Sequence, residues 1–330
     1  MRAVQCTGWD GVAGLRVGEV PVPAMRSGCV RIGVHYAGVA FANILMVEGK
    51  YQRRPDLPFI PGTDVSGEIL EVASDVDGFA TGDRVCAFVD SGGWGEQLVH
   101  PVETVYPVGD GLPMDAASTL PSSYATALCS LTWRGGLSEG QTLLVLGAGG
   151  GVGLAAVDVA SALGARVIAV ASTPEKRDAA LAHGADAAIA PTEFRSQVKS
   201  LTDNRGVDVV FDPIGGDIFH DALRCLGIGG RLLTIGYAAG DIPQIGINLL
   251  LLKNIGILGF GWGTYMGWGP DQGREVFAPR VKPQIARLVQ MWRDGKIAPR
   301  IHQKFPLERI AEAAAEITGR RNIGRVVVHP

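Results

Sequence analysis

The sequence predicts an α/β protein of two domains, one built on a parallel sheet and the other a mostly antiparallel, barrel-like domain. Three observations carry this. The 330 residues exceed what one hydrophobic core comfortably fills. Short alternating strand patterns broken by turns occupy the chain from Arg2 to about Leu120. Within Gln141–Lys176 the run TLLVLGAGGGVGLAAVDVASALGARVIAVASTPEK, which starts at Thr142, reads as strand, glycine turn, helix and strand.

The elements follow in order. CVRIGVHYAGV, DVSGEILEVA, GDRVCAFV and GGWGEQLVHP are the strand patterns of the first domain, with Tyr51 and Trp94 on its loops. A helix from about Tyr124 to Arg134 leads into the second domain. There a strand at Thr142–Leu146 precedes a helical pattern from Val152 to Leu163, and Arg166–Ala171 is the next strand. VDVVFDPIG at Val207–Gly215, GGRLLTIGY at Gly229–Tyr237 and Ile255–Phe260 are further strand candidates. Repeated strand–helix alternation implies a parallel sheet with right-handed crossovers. Pro283–Gly295 is a predicted helix, and IGRVVVHP closes the chain as a strand that returns to the first domain. The expected domains are 1–122 with 266–330, and 123–265.

The glycine turn carries chemistry. In the dinucleotide fingerprint the first glycine makes a tight turn, the second lets backbone approach a pyrophosphate, and the third lets helix and strand pack closely. Ala148, Gly150 and Gly153 occupy those places. The amides that open the helix, at Gly151 and Val152, then form an anion site. A glycine-rich surface turn is the bland reading, but a strand before it and a helix and strand after it make this a Rossmann-type unit.

At the end of the second strand an NAD-selective site places Asp or Glu to receive ribose hydroxyls. This chain has Ser172 and Thr173 there, followed by Lys176 and Arg177. A carboxylate repels a ribose phosphate, whereas a hydroxyl and cations bind it, so the turn predicts NADPH. Thr173-Pro174-Glu175-Lys176 also reads as an ordinary helix start with Thr173 as N-cap. Both readings can hold together.

Composition narrows the class. A hydrophobic content of 47% with 19% charged residues fits a globular enzyme, and a net charge of −3 makes no case for a nucleic-acid surface. The N-terminal MRAVQCTGWDG lacks the apolar core of a signal peptide, and no apolar run reaches membrane-spanning length, so a cytoplasmic location is expected. Cys6, Cys29, Cys86, Cys129 and Cys225 are too widely spaced for a zinc knuckle or a disulfide scaffold, and the six histidines offer no local ligand pair. No metal is expected.

Several long motifs in fixed order resemble the medium-chain dehydrogenase/reductase superfamily, in its zinc-independent quinone oxidoreductase (zeta-crystallin-like) branch. GVAFANILMVEGKY at Gly38–Tyr51 is similar to the family's GVNFxDxLxRxGxY, and Leu57–Val85 to its LPFxPGxExxGxVxxVGxxVxxFxxGDRV. GAGGGVG at Gly147–Gly153 resembles AAAGGVG; RGVDVVFDPIGGDIF and GRLLTIG follow. The resemblance implies a GroES-like first domain, a homodimer joined through sheet edges, and Gly236, which closes GRLLTIG, among the cofactor contacts. Zinc-dependent members carry a Cys in the GVAFAN region and GHExxG where this chain has Gly62, Thr63, Asp64, Val65, Ser66 and Gly67. Those ligands are missing, as is the four-Cys lobe. The family's Asn and Asp in GVNFxD are Ala40 and Asn43, and Pro191 replaces the tyrosine of its VINY.

The implied reaction is hydride transfer from NADPH to a quinone or an activated enone. Asn43 and Tyr51 are candidates for orienting the acceptor oxygen, Thr126 for a position near the nicotinamide, and Trp262 for lining an apolar pocket. Competing readings make Asn43 a helix or turn cap, Tyr51 a packed loop aromatic, and Trp94 and Trp262 core residues. Trp268 is a weaker pocket candidate. Zinc-independent alcohol or aldehyde oxidoreduction, or a nucleotide-binding structural or RNA-binding role, are the alternative functions.

Overall fold

The computed structural model describes residues 1–269 and 272–330. The chain divides into two compact units, the first comprising Met1–Ser122, Trp262–Arg293 and Pro299–Pro330, the second Ser123–Gly261 and Asp294–Ala298. Two segments therefore lie apart from the expected boundaries. Residues 262–265 group with the first unit, where the Trp262 indole N–H donates to the Pro121 carbonyl oxygen at 2.8 Å. Residues 294–298 group with the second, where the Ala298 amide donates to Asp158 Oδ2.

In the first unit β1 (Arg2–Gln5) pairs antiparallel with β2 (Arg16–Glu19). The organising strand is β3 (Cys29–Val39), whose alternating apolar residues Val30, Ile32 and Val34 face the core. Helix α1 (Phe41–Val47) follows it, and then come β4 (Asp64–Val72), β5 (Arg84–Phe88), β6 (Gln97–Pro101) and β7 (Val105–Pro107). Antiparallel pairs join β3 to β4, β4 to β5 and β5 to β7, while β6 lies against the first half of β3. The glycine in DVSGEI is required by this contact: a Cβ on Gly67 would overlap the carbonyl oxygen of Gly33. Trp94 is wholly buried among Val65, Ile69 and Val85, so of its two readings the core one is correct.

The second unit begins with the helical residues Ala125–Cys129 (α2), continued by wider turns over Ser130–Arg134. Six strands form its sheet among the described residues: β8 (Thr142–Leu146), β9 (Arg166–Val170), β10 (Ala187–Ile189), β11 (Val207–Asp212), β12 (Leu226–Thr234) and β13 (Gly256–Gly259). Their order is β10-β9-β8-β11-β12-β13, and every pair is parallel. This is the doubly wound order in which the connection direction reverses between β8 and β11, and dinucleotides bind at the carboxyl ends of the strands beside that reversal. Helices α3 (Gly151–Ala162), α4 (Pro174–Ala182), α5 (Phe194–Leu201), α6 (Ile218–Cys225) and α7 (Asn248–Lys253) connect the strands. The cores of β8 and β9 are continuous apolar runs, as strands covered on both faces must be.

Returning to the first unit, α8 (Arg274–Arg293) starts nine residues before the predicted Pro283. Pro279 and Pro283 sit inside it, four apart and both exposed, so their missing N–H groups fall on one water-facing stripe and the helix passes through them. Then β14 (Ile301–Pro306), α9 (Ile310–Thr318) and β15 (Arg325–His329) complete the chain. β15 pairs antiparallel with β3 and parallel with β14, which places the closing strand in the first unit as the sequence suggests.

Candidate cofactor and active site

The turn between β8 and α3 is built by glycines with separate tasks. Gly147 has φ of 61°, a left-handed conformation that favours glycine, so the tight turn is made one residue before Ala148. Ala148 is fully buried, and its amide donates to the Val170 carbonyl, tying the turn to β9. Gly150 is the N-cap of α3; a Cβ there would meet only the Gly147 carbonyl oxygen, at 3.5 Å, so its outer face is open. A Cβ on Gly153 would overlap that same carbonyl, which is the close helix–strand approach expected of the third glycine. The first bond of the helix runs from the Leu154 amide to Gly150 O at 2.8 Å. The amides of Gly151, Val152 and Gly153 therefore precede it, and with the positive end of the helix dipole they suit an anion such as a pyrophosphate.

At the ribose turn the structure shows the capping role. Thr173 caps α4 by accepting the Lys176 amide at 3.3 Å, and Pro174 opens the helix. Ser172 is exposed, with no carboxylate in its place. The Lys176 side chain does not run out to solvent; it is buried, and a Cβ on Gly149 would lie 2.6 Å from its Cγ. Its stem is thus laid across the glycine loop. Arg177 turns back as well, with Nη1 donating to the carbonyls of Ala171 at 3.1 Å and Ser172 at 3.3 Å. Gly236 lies just past β12, where a Cβ would come no closer than 3.6 Å to the Pro213 carbonyl. These residues fit a phosphorylated dinucleotide.

Sequence reasoning missed Asp212, the last residue of β11. Its Oδ1 accepts the amides of Ile214 at 2.8 Å and Gly215 at 2.9 Å, while Oδ2 is buried with no hydrogen-bond partner among the described residues. Burial holds its carboxyl above the usual carboxylate range, against those two amides. The bonds pin the Gly215–Gly216 turn, both glycines left-handed, at the carboxyl end of the sheet. The signal was an acid ending an apolar strand directly before Pro-Ile-Gly-Gly.

In the first unit the aromatic and polar candidates have distinct surroundings. Asn43 is completely buried. Its Oδ1 accepts the Ala40 amide at 2.9 Å, half of a capping box at the start of α1, and its Nδ2 donates to Thr63 Oγ1 at 3.0 Å. The expected role of Asn43 in orienting an acceptor oxygen is thereby replaced by the cap role, because no face of the side chain is exposed to receive one. Tyr51 is half-buried and meets the Trp268 ring edge-on, centroids 6.4 Å apart. Its hydroxyl makes no hydrogen bond among the described residues, and burial raises its pKa, keeping it a neutral donor. Trp262 is buried, with its N–H engaged by Pro121. Thr126 lies on α2 in the second unit, nearly buried.

Two family models match the chain, zinc-binding dehydrogenase over residues 151–277 and alcohol dehydrogenase GroES-like domain over residues 26–110. Quinone oxidoreductase-like protein 2 homolog of Nematostella vectensis is 38% identical over 305 residues, covering 91% of this chain and 81% of that protein. Quinone oxidoreductase of Rattus norvegicus is 31% identical over 322 residues, covering 96% and 94%. The chain belongs to the quinone oxidoreductase branch of the medium-chain dehydrogenase/reductase superfamily. The quinone oxidoreductase of Thermus thermophilus, solved alone and with NADPH, superposes with a TM-score of 0.81 at 31% identity over the whole of both chains.

In this quinone oxidoreductase-like chain the place of the zinc ligands is taken by a different structure. Asn43 donates to Thr63, Thr63 Oγ1 donates to Asp64 Oδ1 at 3.4 Å, and Asp64 forms a buried ion pair with Arg325 of β15. Gly38 makes room for that pair, since a Cβ there would overlap both side chains. Burial works to raise the Asp64 carboxyl, and the Arg325 guanidinium opposes it. Among the described residues no group of three or more His, Cys, Asp or Glu side chains converges as a metal site would require.

Proposed function

We propose that this chain transfers hydride from NADPH to a quinone or an activated enone without a metal. The observation that carries the reading is the glycine loop with its open Gly150, the unbonded helix head beyond it, and Lys176 laid across Gly149 beside a turn that has no carboxylate. The bound cofactor supplies the reducing hydride. The chain's part is to hold it: the amides of Gly151 to Gly153 take the pyrophosphate, and Ser172, Lys176 and Arg177 take the ribose phosphate. Tyr51, kept protonated by its surroundings, donates a hydrogen bond to the acceptor oxygen as negative charge develops there. Thr126 contacts the nicotinamide end and Trp262 supplies apolar lining.

The likeness to proteins named for quinone reduction supports the acceptor class, and the NADPH complex of the Thermus protein supports the cofactor. The deciding experiment is an NADPH-oxidation screen of quinones, enones and simple aldehydes on chelator-treated protein, with products identified. Turnover of quinones or enones is expected. Preference for unactivated alcohols or aldehydes favours the alcohol-type alternative, and NADPH binding without turnover favours the structural one.

We also propose a homodimer formed at the free edge of β13. Strand β13 ends the sheet, and an uncovered strand edge invites pairing. Beside it α7 buries none of its residues, and Leu251 and Leu252 are 78% and 73% exposed. The helix is nonetheless firmly anchored, because Lys253 Nζ donates to the carbonyls of Arg224 and Leu226 at 3.0 Å. An apolar face presented this way suits a second copy of the chain. A cytoplasmic location accords with five buried cysteines, none of them in a disulfide.

A further inference from the structure

Arg53 belongs to an aromatic and ionic cluster that the cofactor reading leaves unused. Its guanidinium stands 4.8 Å from the centroid of the Trp268 indole, the same indole that Tyr51 meets edge-on. Two guanidiniums, Arg53 and Arg274, share one carboxylate, Asp90. Arg274 Nη2 donates to Asp90 Oδ2 at 2.6 Å, and Trp268 Nε1 donates to Oδ1 at 2.8 Å. That leaves Arg53 Nη2 at 3.6 Å from Oδ1, beyond hydrogen-bond reach. The bond Arg53 does make runs from Nη1 to the Asp90 backbone oxygen, which carries no net charge. His100 lies 3.0 Å from Arg274 and adds no negative charge either.

Among the described residues the cluster therefore holds two positive charges against one negative, and the surplus sits on the member that is 32% exposed. Holding Trp268 and Arg274 against Asp90 needs only the Arg274 guanidinium and the Trp268 N–H, so that role does not account for Arg53. A partly exposed guanidinium held 4.8 Å over an indole, with its one printed hydrogen bond made through Nη1, can take a carboxylate through paired hydrogen bonds.

We propose that Arg53 is a specificity-determining residue that recognises a carboxylate on the acceptor, making the substrate class a carboxylate-bearing quinone or enone. The acceptor class rests on the oxidoreductase reading above and on Tyr51 as its oxygen-facing donor; the anion selectivity rests on Arg53 alone. Tyr51 and Arg53 contact the same indole, so with Tyr51 as the oxygen-facing donor the charge recognition falls next to it.

The test compares a naphthoquinone carboxylate with its methyl ester as acceptors, and the unreactive pair 2-naphthoate and 2-naphthamide by calorimetric binding. Wild-type protein is expected to favour the acid in both pairs. In Arg53→Gln the acid-to-ester ratio of kcat/KM, and the naphthoate-to-naphthamide affinity ratio, fall by about tenfold, with the loss mainly in KM. Arg53→Lys, which keeps the charge but not the fork, falls between the two and serves where the glutamine variant folds poorly. Ratios unchanged in both variants, or no acid preference in the wild type, overturn the proposal. If neither quinone is reduced and the screen above finds no enone turnover, the oxidoreductase reading fails, while the naphthoate comparison still decides the role of Arg53.

Discussion

The hydroxyl of Tyr124 donates a 2.7 Å hydrogen bond to Asp158 Oδ2, and the same oxygen accepts the amide of Ala298 at 2.8 Å. Asp158 lies on α3, the helix whose other end heads the cofactor loop. One buried carboxylate thus ties the start of the second unit and its late 294–298 segment to the helix that carries the anion site.

Removing the hydroxyl with Tyr124→Phe leaves Asp158 short of a donor in a buried setting. A lost hydrogen bond to a charged group costs about 2 kcal/mol. The urea midpoint of the second unit is expected to fall accordingly; an unchanged midpoint means water replaces the phenol at no cost.

Lys176→Ala is expected to weaken NADPH binding about tenfold while changing NADH binding much less, since only NADPH presents the extra 2′-phosphate on its adenosine ribose. Titrations of both cofactors by nicotinamide fluorescence check this. Equal losses would assign Lys176 to packing against Gly149.

Gly153→Ala places a methyl group on the carbonyl oxygen of Gly147. Helix α3 must then move off β8, and a stability loss of more than about 2 kcal/mol is expected, with cofactor affinity lost as well. Gly150→Ala meets no such crowding, and any cofactor loss it causes comes from the anion site rather than from unfolding. Paired melting and binding measurements separate the two.

His100 supplies a pH dependence. Burial and the neighbouring Arg274 push its pKa down to about 3, from an ordinary value of 6.5. The ring is neutral in the folded protein and sits 2.8 Å from Thr104 Oγ1. Below pH 6.5 the unfolded chain takes up a proton at this position that the folded one refuses, so this contribution to stability is complete above 6.5 and declines as pH falls toward 3. Unfolding free energies measured across that range should slope less steeply in His100→Gln. An identical slope would assign the acid sensitivity to other groups.

The edge of β13 gives a fifth expectation. Light scattering of dilute wild-type protein should report a dimer, and Leu251→Glu with Leu252→Glu should shift it toward monomer, because two charges would be buried at the contact. A stable wild-type monomer refutes the interface.

The elements of the second unit were legible in sequence because their signals are local. Thr142–Leu146 is apolar after its first residue, the glycines break the run in a fixed spacing, and Thr173-Pro174 starts a helix by short-range bonding. The start of α8 was misplaced for the same reason in reverse: a proline usually marks a helix start, and only the exposure of Pro279 and Pro283 on one stripe let the helix run past them.

Sequence by itself determined the two fold types, the anion-binding turn, the acid-free ribose turn and the absence of the zinc ligand pattern, each of which depends on residue types within a few positions of one another. Tertiary structure decided what lay across long separations. Asp64 pairs with Arg325, 261 residues away, and Trp262 bonds to Pro121, 141 away, which moves its segment into the first unit. Asn43, polar and beside an expected substrate loop, became a buried cap because Ala40 and Thr63 consume its amide. Backbone periodicity and turn chemistry act along the chain and can be read from it, whereas the partner of a buried charge or amide is chosen by packing in three dimensions, which no local pattern records.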